Sequence, residues 1–328
     1  MDSQEQLKEM ARCRLCPREC GADRLGGQKG ACGVPGRLLL ARASLHHWEE
    51  PCLSGSRGSG TVFFSGCGLG CVYCQNRAIS LEAQGVGMSV ADLADTFLSL
   101  QEQGAHNINL VTAAQYLPQV VAALARVKGS ALRIPVVYNT GEYEKAESLR
   151  RLEGLVDIYL PDFKYMDPER ARWYSNAPDY PKAAKEALRE MVRQAPEAKW
   201  DEDGMMRSGV IVRHLLLPGG REDSMAVVRY LFETYGNRIY MSLMNQYTPV
   251  LKDPAYPELG RKIRRREYER IVEYALRLGV ENAYIQEGGT ARESFIPAFD
   301  GRGLVRSKKH KSALLFIREF AIIRNRQA

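Results

Sequence analysis

All eight cysteines of this 328-residue chain lie within its first 74 residues. They form a group of four (Cys13, Cys16, Cys20, Cys32), a group of three (Cys67, Cys71, Cys74) and a single Cys52. Disulfide scaffolds belong to small secreted domains, and this chain is long. Its start carries Asp2, Glu5 and Glu9 with no apolar stretch, so it does not read as a secretory signal. Clustered thiols in such a chain are expected to be metal ligands, in a reducing cytoplasmic setting. A 45% hydrophobic content allows a sizeable core. No run reaches the roughly 20 apolar residues of a membrane span. The richest late run, 313–323, is broken by Arg318 and Glu319. The net charge of +7 permits phosphate-bearing partners without arguing for them.

The group of three is spaced C-x3-C-x2-C, in the glycine-rich run Cys67-Gly68-Leu69-Gly70-Cys71-Val72-Tyr73-Cys74. It directly follows a strand-like segment, 61–65, rich in aromatic and β-branched residues. Three thiolates on one loop can hold three irons of a four-iron cluster, leaving one iron open, whereas such clusters usually take four cysteines. Zinc with a fourth ligand is the competing reading, and plainly buried thiols are a third. Gly66, Gly68 and Gly70 allow the tight wrap that a cluster requires.

Beyond this loop the chain alternates between strand and helix patterns. Strands are expected at 107–112, 134–138, 156–160, 210–216 and 238–243, with a further apolar stretch at 282–285. Helices are expected at 117–127, 144–152, 224–235 and 261–278, and another opens at Ser89 with Asp92 as a capping pair. The region 167–208 reads as helical with loops. Such alternation implies an α/β fold, a partial (β/α)6-type barrel of parallel strands. No G-x-G-x-x-G follows the first strand, which weakens a nucleotide-binding reading. Residues 1–52 read as a loop-rich, Cys-rich metal-binding module, 53–250 as the core barrel, and 251–328 as a helical basic extension. The basic run from Arg302 to the end, including Lys308, Lys309 and Lys311, reads as a solvated helix face or a docking surface for an acidic partner.

The C-x3-C-x2-C loop with Tyr73 before its third cysteine resembles that of the radical S-adenosylmethionine (SAM) superfamily, over about 61–250. Cys13-Arg14-Leu15-Cys16-Pro17-Arg18-Glu19-Cys20-Gly21, His47-Trp48-Glu49-Glu50-Pro51 and the continuation Gln75-Asn76 are similar to the pyruvate formate-lyase activating enzyme-like branch. The resemblance implies a 4Fe-4S cluster on Cys67, Cys71 and Cys74, with SAM at its open iron. It implies reductive cleavage to a 5′-deoxyadenosyl radical that abstracts hydrogen. The substrate would be a glycyl radical enzyme, another polypeptide, an RNA or a metabolite, and the electron donor a protein such as flavodoxin or ferredoxin. Cofactor contacts carried over from the family fall on strand ends. They are Thr112 or Gln115 for the methionine amino group, since the family's acidic residue is missing there, Asn139 and Thr140 for the ribose, Asp162 and Lys164, and Arg213 for the carboxylate.

The group of four, spaced C-x2-C-x3-C-x11-C, reads as a closed second site for structural zinc or a second 4Fe-4S cluster. Cys52 reads as a small buried hydrophobe or a substrate-site thiol. His46 and His47 are expected to pack and hydrogen-bond the connector, with metal ligation as the alternative, and Glu49 and Glu50 to contact substrate or cap the barrel. Met241, Met244, Asn245, Gln246 and Tyr247 are expected at the active end or in the core. The reading from a different class is a zinc-stabilised protein that binds nucleic acid in a salt-sensitive way.

Overall fold

A computed structural model describes residues 8–251, 253–286 and 297–306. Most of the basic C-terminal run, including Lys308, Lys309 and Lys311, therefore lies outside the described residues. Seven parallel strands form an open, curved sheet. They are β2 (Ser59–Phe64), β4 (Ile108–Val111), β5 (Val136–Thr140), β6 (Ile158–Pro161), β8 (Met206–Leu215), β9 (Tyr240–Met244) and β10 (Ala283–Ile285), adjacent in that order. Their registers run Gly60 to Ile108, Ile108 to Val136, Val137 to Ile158, Ile158 to Gly209, Ile211 to Tyr240 and Met241 to Ala283. β1 (Leu39–His46) pairs antiparallel with β2, and the two-residue β3 (Val86–Gly87) with β1; β7 (Lys199–Trp200) pairs antiparallel with β8. The fold is α/β with a mostly parallel sheet, and the sheet does not close.

Helices cover one face of this sheet. Helix α1 (Val90–Glu102) begins where the sequence placed it. Ser89 Oγ accepts from the Asp92 amide at 3.1 Å while the Asp92 carboxylate accepts from the Ser89 amide at 3.0 Å, which satisfies two otherwise orphaned donors. Leu93, Ala94, Phe97 and Leu100 are its buried face. Helix α2 (Leu117–Val127) has Pro118 in its first turn, where no amide is needed. The expected helical region after β6 holds α3 (Pro168–Ser175) and α4 (Tyr180–Gln194), and α5 (Arg221–Tyr235) precedes β9. Among the described residues no helix is long and apolar enough to cross a membrane.

Two expected helices are shorter than their patterns. The 144–152 helix contracts to Ala146–Leu149 and a 3-10 turn, Arg150–Leu152. Glu144 is drawn inward instead, accepting hydrogen bonds from Tyr138 Oη at 2.7 Å and from Thr140 Oγ1. Helix α6 (Arg265–Leu278) starts at Arg265, not 261, because the Arg261 guanidinium folds onto Glu267 at 2.7 Å and that carboxylate caps the Arg264 amide at 2.9 Å. The stretch 1–52, read as loop-rich, contains β1, whose Leu39, Leu40, Ala41 and Ala43 are buried. Residues 8–38 are turns and loops apart from the 3-10 turn Glu9–Arg12. They dock on the barrel through Ser148 Oγ to the Leu15 carbonyl at 2.8 Å, Arg151 to Glu9 at 2.7 Å, and a Lys145–Glu19 ion pair.

Candidate active site

The ends of the parallel strands deliver side chains to one cavity of about 230 Å³, at the position where β/α barrels build their sites. Cys67, Cys71 and Cys74 line it from the loop after β2, with Thr112, Asn139, Thr140, Asp162, Lys164 and Arg213 around the wall. The loop's path is fixed by its backbone. The Gly66 amide donates to Ile79 O at 2.7 Å, Cys67 N to Cys32 O at 3.1 Å, and Val72 N to Tyr174 O at 2.9 Å. Gly66 has φ +85°, and a Cβ there would lie 2.7 Å from Cys32 O, so no larger residue fits. Arg18 reaches across to donate to Gly68 O at 2.9 Å and Ser175 O at 2.8 Å.

Two of the three thiols accept hydroxyl hydrogen bonds. Ser175 Oγ donates to Cys71 Sγ at 3.0 Å, and Ser80 Oγ to Cys74 Sγ at 3.2 Å. Ser175 Oγ also lies 2.9 Å from Tyr165 Oη, which lies 2.6 Å from Tyr73 Oη, so a buried hydroxyl chain ends on the loop. Burial, followed by the charges of Cys71 and Cys74, pushes the Cys67 thiol up to about 12. Cys74 is raised by burial and by Cys71. Three crowded thiolates, Cys71 buried and Cys67 and Cys74 half-buried, need positive charge among them. An iron cluster supplies it, and soft thiolate donors suit iron. The donor set therefore fits such a group.

The polar wall is a connected network. Arg213 Nε donates to Asp162 at 3.1 Å, its Nη1 to Glu49 at 3.0 Å, and its Nη2 to Asn139 Oδ1. Lys164 Nζ reaches the other Asp162 oxygen at 2.8 Å, and Asn109 Nδ2 reaches Glu49 at 3.1 Å. Burial pushes the Asp162 carboxyl up, but Lys164 and Arg213 outweigh it and hold it below its ordinary range. Lys164 stays charged: burial opposes its charge, and Asp162 with Cys71 more than compensates. His46, also on the cavity wall, is pushed down to about 4 by burial and by His47 and Arg213, so its imidazole is neutral at pH 7.

Several expectations change here. Gln115 does not line this cavity. Its Nε2 donates to Ser65 O, Gly66 O and Thr112 O at 2.8–2.9 Å, so it braces the cysteine loop from behind. Arg213 lines the cavity, and its guanidinium pairs with Asp162 and Glu49. The Thr140 hydroxyl turns to Glu144, because side chains alternate along β5 and Asn139 takes the inward place. Thr112 is on the wall, in a left-handed backbone conformation with φ +58° that non-glycine residues rarely adopt. Its amide donates to Asn139 O at 2.8 Å.

Met244, Gln246 and Tyr247 line the cavity, whereas Met241 is in the core and Asn245 bonds to Gln286. Cys52 is buried with Leu53, Val137 and Ile158, away from the cavity. Ser80, Ser175, Tyr165 and Arg18 were not singled out from the sequence. Only Arg18, inside the Cys16–Cys20 spacing, carried a signal.

The model of the Radical SAM superfamily matches residues 61–231, just over half of the chain, from within β2 to within α5. The chain belongs to the radical SAM superfamily. The superfamily implies a 4Fe-4S cluster and SAM. A curated relative, an uncharacterized protein of Methanocaldococcus jannaschii, is 25% identical over 280 residues, covering 83% of this chain and 76% of that protein. Two solved structures resemble it at low identity. SuiB of Streptococcus suis, bound to S-adenosylmethionine, is 14% identical with a TM-score of 0.47, over 68% of this chain and 48% of SuiB. Methylornithine synthase (PylB) is 12% identical with a TM-score of 0.39, over 78% of this chain and 79% of that one. This radical SAM chain thus matches about half the length of SuiB.

Glu144, behind the cavity, gives the protein a pH-dependent term. Burial raises its carboxyl to about 7 against the opposing hydrogen bonds of Thr140 and Tyr138. An acid raised in the folded state stabilises fully below its unfolded value of 4.5 and loses that contribution as pH rises through about 7. The difference is worth about 3 kcal/mol at one pKa unit per ~1.4 kcal/mol. Buried Glu142, raised by burial and by Asp162, adds in the same direction. Urea titrations from pH 4.5 to 7.5 are expected to show stability falling with pH, with a shallower slope for Glu144→Gln. An equal slope in the variant would remove Glu144 as the source.

Proposed function

We propose that this radical SAM enzyme cleaves SAM reductively and abstracts a hydrogen atom from a polypeptide, with a glycyl radical enzyme as first candidate. The observation that carries the reading is the shared cavity: three loop thiols and the polar strand ends face the same space. Cys67, Cys71 and Cys74 would hold the 4Fe-4S cluster, leaving one coordination position for SAM. Thr112, Asn139, Asp162 and Lys164 would orient SAM, with Asp162 kept anionic by its two cationic neighbours. Arg213 and Glu49 would position that carboxylate, and Thr140 would contribute through its backbone. When bound, the cluster and SAM supply a 5′-deoxyadenosyl radical after one electron arrives from a low-potential carrier such as flavodoxin or ferredoxin.

A polypeptide substrate is supported by the rim. Trp48 is 62% exposed there, and Gln75 and Asn76 line the same opening. An aromatic face with amide side chains suits an extended chain whose peptide groups need partners. Hydrogen would pass from a glycine Cα to the nucleoside C5′, giving 5′-deoxyadenosine and a glycyl radical, with methionine already released by the C–S cleavage. The test pairs the anaerobic enzyme, SAM and dithionite with a glycyl radical enzyme carrying α-deuterated glycine. Deuterium in the 5′-deoxyadenosine together with a glycyl EPR signal is expected. Nucleoside formed without deuterium or glycyl signal would contradict this substrate while leaving SAM cleavage intact.

A further inference from the structure

Four of the remaining cysteines build a second site behind the first. Cys13, Cys16, Cys20 and Cys32 line one cavity of about 40 Å³, and Cys67 lines it from the other side. The chain is folded back to achieve this. Cys13 N donates to Ala22 O at 3.1 Å, Gly21 N to Cys13 O at 2.9 Å and Glu19 N to Cys16 O at 3.0 Å. Glu19 itself is held at φ +39° between Arg18 and Cys20, a conformation that non-glycine residues adopt only when their surroundings impose it. Gly30 leaves room for the sulfurs: a Cβ there would sit 3.3 Å from Cys20 Sγ and 3.4 Å from Cys32 Sγ.

A buried cation faces these thiols. Arg24 is 1% exposed. Its Nη1 lies 3.6 Å from Cys13 Sγ, and its other donors go to the neutral carbonyls of Val34, Pro35 and Gln115 at 2.8–3.2 Å. The ring of Tyr116 lies 5.7 Å from its guanidinium carbon. Among the described residues no carboxylate forms an ion pair with it. A buried charge without a counter-charge is costly, and a metal group held by four thiolates carries the net negative charge that would balance it.

We propose that Cys13, Cys16, Cys20 and Cys32 hold a second iron–sulfur cluster, with Arg24 as its buried counter-charge. Space favours a cluster over a single ion. The cavity is several times the roughly 10–15 Å³ that one water needs. Among the described residues no three His, Cys, Asp or Glu side chains are placed to hold one ion. Position favours it too. A Cβ on Gly68 would be 3.7 Å from Cys16 Sγ, so the second site abuts the first loop, a place where redox-silent zinc would serve no electron transfer.

The test does not depend on SAM cleavage. A Cys67→Ser/Cys71→Ser/Cys74→Ser variant, purified without oxygen and reconstituted, is expected to keep about four irons and four sulfides per chain, with the EPR signal of a reduced cluster. One zinc without iron, or no metal, would overturn the proposal. A second variant guards against misfolding of the first. Cys13→Ser/Cys16→Ser is expected to lower wild-type iron from about eight to about four per chain, with the remaining cluster's EPR signal still altered by added SAM. Unchanged iron in that variant would equally overturn the second site.

Discussion

Replacing Cys71 with alanine is expected to abolish 5′-deoxyadenosine formation. Cys71 is buried, takes the Ser175 hydroxyl hydrogen bond at 3.0 Å and lies near the Lys164 charge. It is the middle thiol of the loop, and its loss removes one of the three ligands that would hold the cluster facing SAM. No neighbour replaces it, because Ser175 and Tyr165 are already joined to each other. Cys67→Ala and Cys74→Ala are expected to behave alike. Anaerobic chromatography of nucleoside products with dithionite measures the loss, and circular dichroism checks the fold. Cleavage retained in all three variants would contradict the assignment of the loop.

The second large effect is expected on stability. Arg213 joins acids and an amide from separate parts of the chain: Glu49 after β1, Asn139 on β5 and Asp162 after β6. Replacing it with methionine keeps much of the volume but leaves Glu49 without a cation in the wall and Asp162 with Lys164 alone. Breaking a buried ion pair by removing one partner costs about 3–5 kcal/mol. Arg213→Met is thus expected to shift the urea midpoint strongly downward. Adding Glu49→Gln removes the charge left without a cation and is expected to recover part of the loss, the non-additivity that contacting residues show. An unchanged midpoint in Arg213→Met would mean that the network does not hold the wall together.

The sequence made the sheet and the cysteine loop readable because both are local. Leu93, Ala94, Phe97 and Leu100 announce a helix within one window, and three thiols in eight residues announce a ligand loop. The rest depends on contacts far apart in sequence. Gln115 sits at a strand end that looks like a ligand position, yet its amide is claimed by Ser65 and Gly66, fifty residues earlier. Arg213 carries the charge expected of a carboxylate partner, and its pairing with Glu49 spans 164 positions that no local pattern connects. The strand β1 hid in a stretch rich in cysteine, glycine and arginine, where Leu38 to Ala41 forms a short apolar run without alternation. Ser80 and Ser175 gave no signal at all, since a serine that touches a thiol looks like any other serine.

The most direct measurement is the iron and sulfide content of protein purified without oxygen, together with SAM cleavage under dithionite. The account predicts iron at the Cys67–Cys74 loop and 5′-deoxyadenosine formed with methionine in equal amounts. Zinc in place of iron, with no 5′-deoxyadenosine, would contradict it and favour a metal-stabilised binding protein.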